Sequence, residues 1–263
     1  EPFLPEVGAA MDCGFMAGYH HARIEGRADT LAEFIDLSLR QHKLLKSANP
    51  ALKLHCEYLP MHNPEQEAVL LRSLVPRFDS YGINEAEIMR VLDCLGFENE
   101  AREIARAERS FSLYQGALAL WREFRLPRLH LHNLGYYLVI IAKPYPVSPE
   151  KVRQACLFAS AVNAVKAKRG GAVPREAVAE MAGFPLSDVG LSQLEAFAEE
   201  ARQAGYPITS DFTATGIMEC EDHTCIIVPA HVVPNPVSTV GMGDTISSSA
   251  FAAEVSLGTG GPR

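Results

Sequence analysis

The sequence predicts an α/β fold: a layered, mostly parallel sheet flanked by helices, with a small antiparallel hairpin near the C-terminal end. Two observations carry this. Apolar runs of strand length alternate with longer helical patterns, which implies parallel strands joined by helical crossovers. Late in the chain, two short strands are separated only by Glu221, Asp222 and His223, a hairpin signal. In order, residues 13–19 read as a buried strand. Residues 30–45 read as an amphipathic helix with Leu31, Phe34, Ile35, Leu37, Leu39 and Leu44 as its apolar set. Residues 52–58 form the next strand. Asn63-Pro64-Glu65 then opens a helix with a capping side chain, a proline at the first position and an acid in the first turn. A short strand over 78–83 leads into a helix from Asn84 that ends before Gly96, and residues 100–124 read as one long charged helical region. Strands at 128–132 and 137–142 precede the helix start Ser148-Pro149-Glu150, which Gly170-Gly171 ends. A helix over 191–203 closes at Gly205, the hairpin strands span 216–220 and 224–228, and the last helix begins after Gly243.

The chain has 263 residues, 48% hydrophobic and 21% charged, enough for a sizeable core and read as one α/β domain over 1–263. Its 24 basic and 32 acidic residues give a net charge of −8 with no basic block, which argues against a nucleic-acid surface. The longest apolar run, residues 134–142, falls far short of the roughly 20 residues a spanning helix needs, so no membrane segment is expected. The first residues carry no secretory or transit pattern. Six scattered cysteines without a CxxC pair read as buried thiols of a cytoplasmic protein, with Cys220 and Cys225 able to face each other across the hairpin.

Three stretches carry chemistry. In Gly241-Met242-Gly243-Asp244 two glycines allow a tight turn and close approach of a ligand just ahead of a helix. The amides of Met242, Gly243 and Asp244 then lack intrahelical partners and form an anion hole. A carboxylate at its mouth makes sense if Asp244 takes a substrate proton there. The plain reading is a capped helix after a glycine turn. Asn84 and Glu87 share one face of a helix start, suited to a hydrated cation and equally to an ordinary capping box. In His55-Cys56-Glu57 the two polar side chains point to the same side of a strand end, where open α/β sheets bind ligands.

The order of these stretches, His55-Cys56-Glu57, then Asn84-Glu85-Ala86-Glu87, then the run from Pro236 through Gly241-Met242-Gly243-Asp244 to Ser247, resembles the ADP-dependent sugar kinases. These are the archaeal-type glucokinase and phosphofructokinase family of the ribokinase-like fold. The run Asp12-Cys13-Gly14-Phe15-Met16-Ala17-Gly18-Tyr19 is similar to a strand of that family, as is Leu129 to Tyr137, with Asn133 in place of a common threonine. The resemblance covers residues 1 to about 260.

It implies a phosphotransferase moving the β-phosphate of ADP to a hydroxyl of glucose or fructose 6-phosphate, giving AMP, with Mg²⁺ as cofactor. Asp244 would be the base, and the amides of Gly241, Met242, Gly243 and Asp244 would neutralise the transferring phosphoryl group. Glu57, Glu87 and Asn84 would position Mg²⁺ through water. Val232 and Val233 would read adenine through main-chain groups, with His132 and Thr239 completing the nucleotide site. His20 and Arg23 are weaker candidates for the sugar, with His21 beside them. The resemblance also implies a preceding N-terminal half with a lid over the sugar, so that this chain is the nucleotide-binding large domain without it. Two alternatives remain open: an ATP-dependent ribokinase-like carbohydrate kinase, which shares NxxE and GxGD, and a catalytically silent nucleotide-binding fragment.

Overall fold

A computed structural model describes residues 2–19, 28–58, 60–61 and 63–258. After a short helix α1 (Leu4–Ala9), the chain alternates β1 (Cys13–Met16), α2 (Ala28–Ser47), β2 (Lys53–Glu57), α3 (Pro64–Leu74), β3 (Ser80–Asn84) and α4 (Glu85–Leu95). Helices α5 (Glu98–Arg106) and α6 (Ser110–Phe124) precede β4 (Arg128–His132) and β5 (Tyr136–Ala142). The remainder is α7 (Pro149–Arg169), a 3₁₀ segment (Arg175–Gly183), α8 (Asp188–Gln203), α9 (Phe212–Thr215), β6 (Ile217–Glu219), β7 (His223–Pro229) and α10 (Met242–Gly258). The seven strands form one sheet in the order β1-β2-β3-β4-β5-β7-β6.

β1 to β4 run parallel, and the expected β6–β7 hairpin is present. β5 also runs antiparallel, to both β4 and β7. The sequence alternation did not show this, but the link explains it. Only Asn133, Leu134 and Gly135 separate β4 from β5, far too few residues for a parallel crossover. The single helix expected over 100–124 is two, because the chain leaves helical geometry at Ala107 before α6 starts. The first strand stops at Met16, and Gly18 follows with φ 85°. All six cysteines are free thiols, so the Cys220–Cys225 pairing is absent.

Side-chain alternation sorts each strand between two layers. Leu138 and Ile140 of β5, with Cys225 and Ile227 of β7, face the larger core built with α2, α3, α4, α6 and α8. Tyr137, Val139, Ile141, Ile226 and Val228 face a smaller core under α7 and α10. Across β2, β3 and β4 that second face turns polar. His55, Glu57, Ser80, Arg128, His130 and His132 are all buried, while Leu54, Cys56, Tyr81, Ile83, Leu129 and Leu131 fill the first core. A sheet covered on both faces ordinarily has apolar strands. A buried polar stripe in its middle is costly unless paired, and it leads to the site.

Candidate active site

The parallel pairing brings the C-terminal ends of β2, β3 and β4 side by side, with Glu57 opposite Gly82 and Asn84 opposite His132. Glu57 sits between two imidazoles: Oε2 is 2.9 Å from Nε2 of His55 and Oε1 is 2.8 Å from Nε2 of His132. Burial pushes the Glu57 pKa up, but the hydrogen bonds from His132 and His55 outweigh it and hold the carboxyl at about 2. Burial drives His55 toward its neutral form. His132 moves the other way: burial lowers its pKa, but the hydrogen bond and charge of Glu57 raise it further. The pair is thus a carboxylate with a cation-prone imidazole.

Gly82 makes the arrangement possible. A Cβ there would fall 2.1 Å from Oε2 of Glu57 and 2.7 Å from Nε2 of His55. Gly243 plays the matching part on α10, where a Cβ would meet Cε1 of His132 at 2.9 Å. The first turn of α10 therefore rests on the ring that holds Glu57, joining the strand-end corner to the glycine-rich turn. His132 gives Nε2 to Glu57 and is buried, so it builds this corner rather than presenting a ring to solvent.

Asn84 and Glu87 form a full capping box on α4. Asn84 Oδ1 accepts from the amides of Ala86 and Glu87 at 2.9 and 2.8 Å, and Glu87 Oε2 accepts from the Asn84 amide at 3.0 Å. The oxygen of Asn84 is thereby committed, which leaves Glu87 as the box's contribution to any ligand. Burial raises the Glu87 pKa to about 7, against the pull of the Asn84 amide and of His132; the Glu57 charge adds to the rise.

At α10, Gly241 adopts φ 66°, the left-handed region that glycine enters without strain. The helix starts at Met242, two residues earlier than expected, and its first backbone bond runs from Thr245 to Gly241 at 3.2 Å. Against expectation, the Met242 amide is not free, since it donates to the Thr239 carbonyl at 3.3 Å. Gly243 and Asp244 lie ahead of the first helical bond, at the positive end of the helix dipole. Asp244 is exposed there. Lys166, near the end of α7, donates Nζ to the Val240 carbonyl and would lie 3.6 Å from a Cβ on Gly241. This cation beside the turn was not legible in sequence, because only the packing of α7 against α10 brings it there. Val232 and Val233 follow β7 half-buried, with the Val232 amide on the Pro185 carbonyl at 3.0 Å. His20, His21 and Arg23 lie outside the described residues.

Among the described residues, no group of three or more His, Cys, Asp and Glu side chains is arranged to hold a metal directly. Glu57 has both oxygens taken by imidazoles, and Glu87 keeps one oxygen outside its box. Such a donor set fits a divalent cation that keeps its waters and takes its inner ligands from phosphate. A partly open cavity of about 260 Å³, lined by Asp12, Lys53, Asp79, Tyr145 and Glu254 among others, lies at the opposite end of the strands and contains none of these site residues.

The strand ends that carry Glu57 and Asn84 and the glycine-opened start of α10 share one edge of the sheet, the place where open α/β folds commonly bind phosphate-bearing ligands. Comparison with known proteins narrows the class. Residues 1–253 match the model of the ADP-specific phosphofructokinase/glucokinase conserved region. The chain belongs to this family. It is 34% identical over 250 residues to the ADP-specific phosphofructokinase of Methanosarcina acetivorans, covering 92% of this chain and 50% of that protein. With the ADP-dependent glucose/glucosamine kinase of Pyrococcus furiosus it shares 33% identity over 182 residues, 68% of this chain and 37% of that one. A solved ADP-dependent kinase in complex with fructose 6-phosphate and ADPβS superposes with a TM-score of 0.91 at 33% identity, covering 97% of this chain and 56% of that one. The chain spans about half the length of the curated phosphofructokinase relatives it matches. The fold is ribokinase-like, as the resemblance implied. Among the described residues no helix is long and apolar enough to cross a membrane.

Proposed function

We propose that this chain carries the nucleotide-binding and phosphoryl-transfer part of an ADP-dependent sugar kinase, which moves the β-phosphate of ADP to a sugar hydroxyl and releases AMP. The observation that carries this is the seating of Gly243 on His132, which places the α10 start against the Glu57 corner. Asp244 accepts the proton of the acceptor hydroxyl as it attacks phosphorus. The Gly243 and Asp244 amides, at the positive end of α10, take up the charge on the transferring group. Glu57 and Glu87 orient water around Mg²⁺, which supplies charge neutralisation on the phosphates when bound. Val232 and Val233 offer main-chain groups and apolar walls to the adenine, with Thr239 in the loop beyond. The acceptor is glucose or fructose 6-phosphate, in keeping with the phosphofructokinase and glucose/glucosamine kinase relatives, which match this chain at similar identity. On this reading, which follows the family resemblance, residues that position the sugar lie largely in the half of the relatives that this chain does not span. An assay of the product decides between donors: AMP supports the reading, and ADP formed from ATP overturns it.

A diphosphate donor must span a shorter path from the adenine segment at Val233 to the α10 start than ATP would. This 263-residue chain is therefore expected to bind AMP and ADP weakly and in preference to ATP, with little or no sugar phosphorylation, because acceptor positioning supplies much of the catalysis. Calorimetry checks it. Tighter binding of ATP than of ADP, with no AMP binding, favours the ATP-dependent alternative.

Glu87 gives a second test. Burial holds its pKa near 7, and only the ionised form attracts a cation. In the full-length protein the Mg²⁺ concentration for half-maximal rate is expected to climb as pH falls below about 7. Glu87→Ala should raise that concentration at pH 8 and flatten its pH dependence. An unchanged Mg²⁺ titration with a lower melting temperature would reduce Glu87 to its capping role.

A further inference from the structure

Behind Glu57 the hydrogen bonds continue through the buried face of the sheet. Nδ1 of His55 is 2.9 Å from Oγ of Ser80, the first residue of β3. Ser80 Oγ in turn accepts from a terminal guanidinium nitrogen of Arg128 at 2.8 Å. Arg128 is wholly buried, its Nε donating to Glu254 Oε2 of α10 at 2.8 Å, and Tyr145 donates its hydroxyl to the other Glu254 oxygen. The guanidinium also lies 5.6 Å from the centre of the Phe251 ring, whose own centre is 5.4 Å from that of His55. An unbroken series thus links Tyr145, Glu254, Arg128, Ser80, His55 and Glu57.

Donor economy gives this series a direction. A guanidinium only donates, so Ser80 accepts from Arg128 and keeps its own hydroxyl proton to give. The nitrogen of His55 that faces the Glu57 carboxylate must carry a proton, which leaves Nδ1 of the neutral ring as the acceptor for Ser80. From Arg128 onward every proton then points toward Glu57, while Glu254 accepts from both Tyr145 and Arg128. Were the imidazole in its other tautomer, a lone pair would face Oε2 and the carboxylate would lose one of its two donors.

We propose that Arg128 and Ser80 are positioning residues for Glu57: acting through His55, they fix which ring nitrogen bears the proton and so hold the carboxylate in its working orientation. Both residues are fully buried. The proposal rests on the reading of Glu57 as the residue that orients cation-bound water.

Nitrogen-15 NMR of the histidine rings tests the premise on the unmodified chain. The Nε2–H tautomer is expected for His55, and finding the proton on Nδ1 overturns the proposal whatever any variant does. In the full-length protein, Ser80→Ala is expected to raise the half-saturating Mg²⁺ concentration about tenfold, the low end for loss of an outer-shell partner, while Ser80→Thr, which keeps the hydroxyl, restores most of it. Glu57→Gln is measured alongside. If Glu57→Gln shifts the Mg²⁺ requirement and a folded Ser80→Ala does not, the positioning role fails while the reading of Glu57 stands. If Glu57→Gln itself leaves the requirement unchanged, the reading of Glu57 fails first and takes the proposal with it.

Discussion

Asp244→Asn in the full-length protein is expected to lower kcat at least about 100-fold, the lower end of what a positioned general base contributes, while ADP affinity changes little. Asparagine has nearly the same shape, so the turn at Gly241 and the start of α10 should persist. What disappears is the ability to accept a proton. The location supports so large an effect: Asp244 is exposed in the first turn of α10, next to the amides proposed to receive the phosphoryl group. A structural carboxylate at this position would gain from the helix dipole alone, typically about 0.3–1 kcal/mol, and its loss would show in the melting temperature rather than in kcat. The outcomes therefore separate. Lower kcat with unchanged melting supports the base, and near wild-type kcat removes the assignment.

Much of the fold was legible because local signals agreed with the tertiary arrangement. Asn63 caps α3 through the amides of Glu65 and Gln66, with Pro64 at the first position, as the tripeptide suggested. The glycines at 96 and 170 end α4 and α7 in the left-handed conformation. Strand direction was harder to read, since β5 has the same apolar character whichever way it runs and only the brevity of its link to β4 gives it away. In the site, the pairing of His55 with Glu57 followed from their spacing, and Asn84 with Glu87 from the capping pattern. Arg128, Ser80 and Glu254 were missed, as their partners are distant in sequence. One signal was present: Arg128, His130 and His132 alternate with two leucines on a strand of a sheet covered on both sides, where apolar side chains are the rule. His130 also lies on this stripe, and among the described residues nothing hydrogen-bonds either of its ring nitrogens.

Gly82→Ala is the second change expected to have a large effect, and it tests the site through space rather than through chemistry. Gly82 is not among the glycines with positive φ, so its backbone does not require glycine, and a central strand is ordinarily weakened by one. Its value is the room it leaves. The added methyl would lie 2.1 Å from Oε2 of Glu57 and 2.7 Å from Nε2 of His55, and neither can simply step aside, since His132 and Ser80 hold them from behind. Overpacking of this kind costs about 1–3 kcal/mol of stability. It should also break the His55–Glu57 hydrogen bond. The expected result in the full-length protein is a folded variant with kcat/KM at saturating ADP down at least about tenfold and a raised Mg²⁺ requirement, as for loss of an outer-shell contact. A double-mutant cycle identifies the cause: with Glu57→Ala also present, the stability cost of Gly82→Ala should shrink, because the closest atom is gone. Additive costs, or full activity in the single variant, would show that the glycine is not there to make room for Glu57.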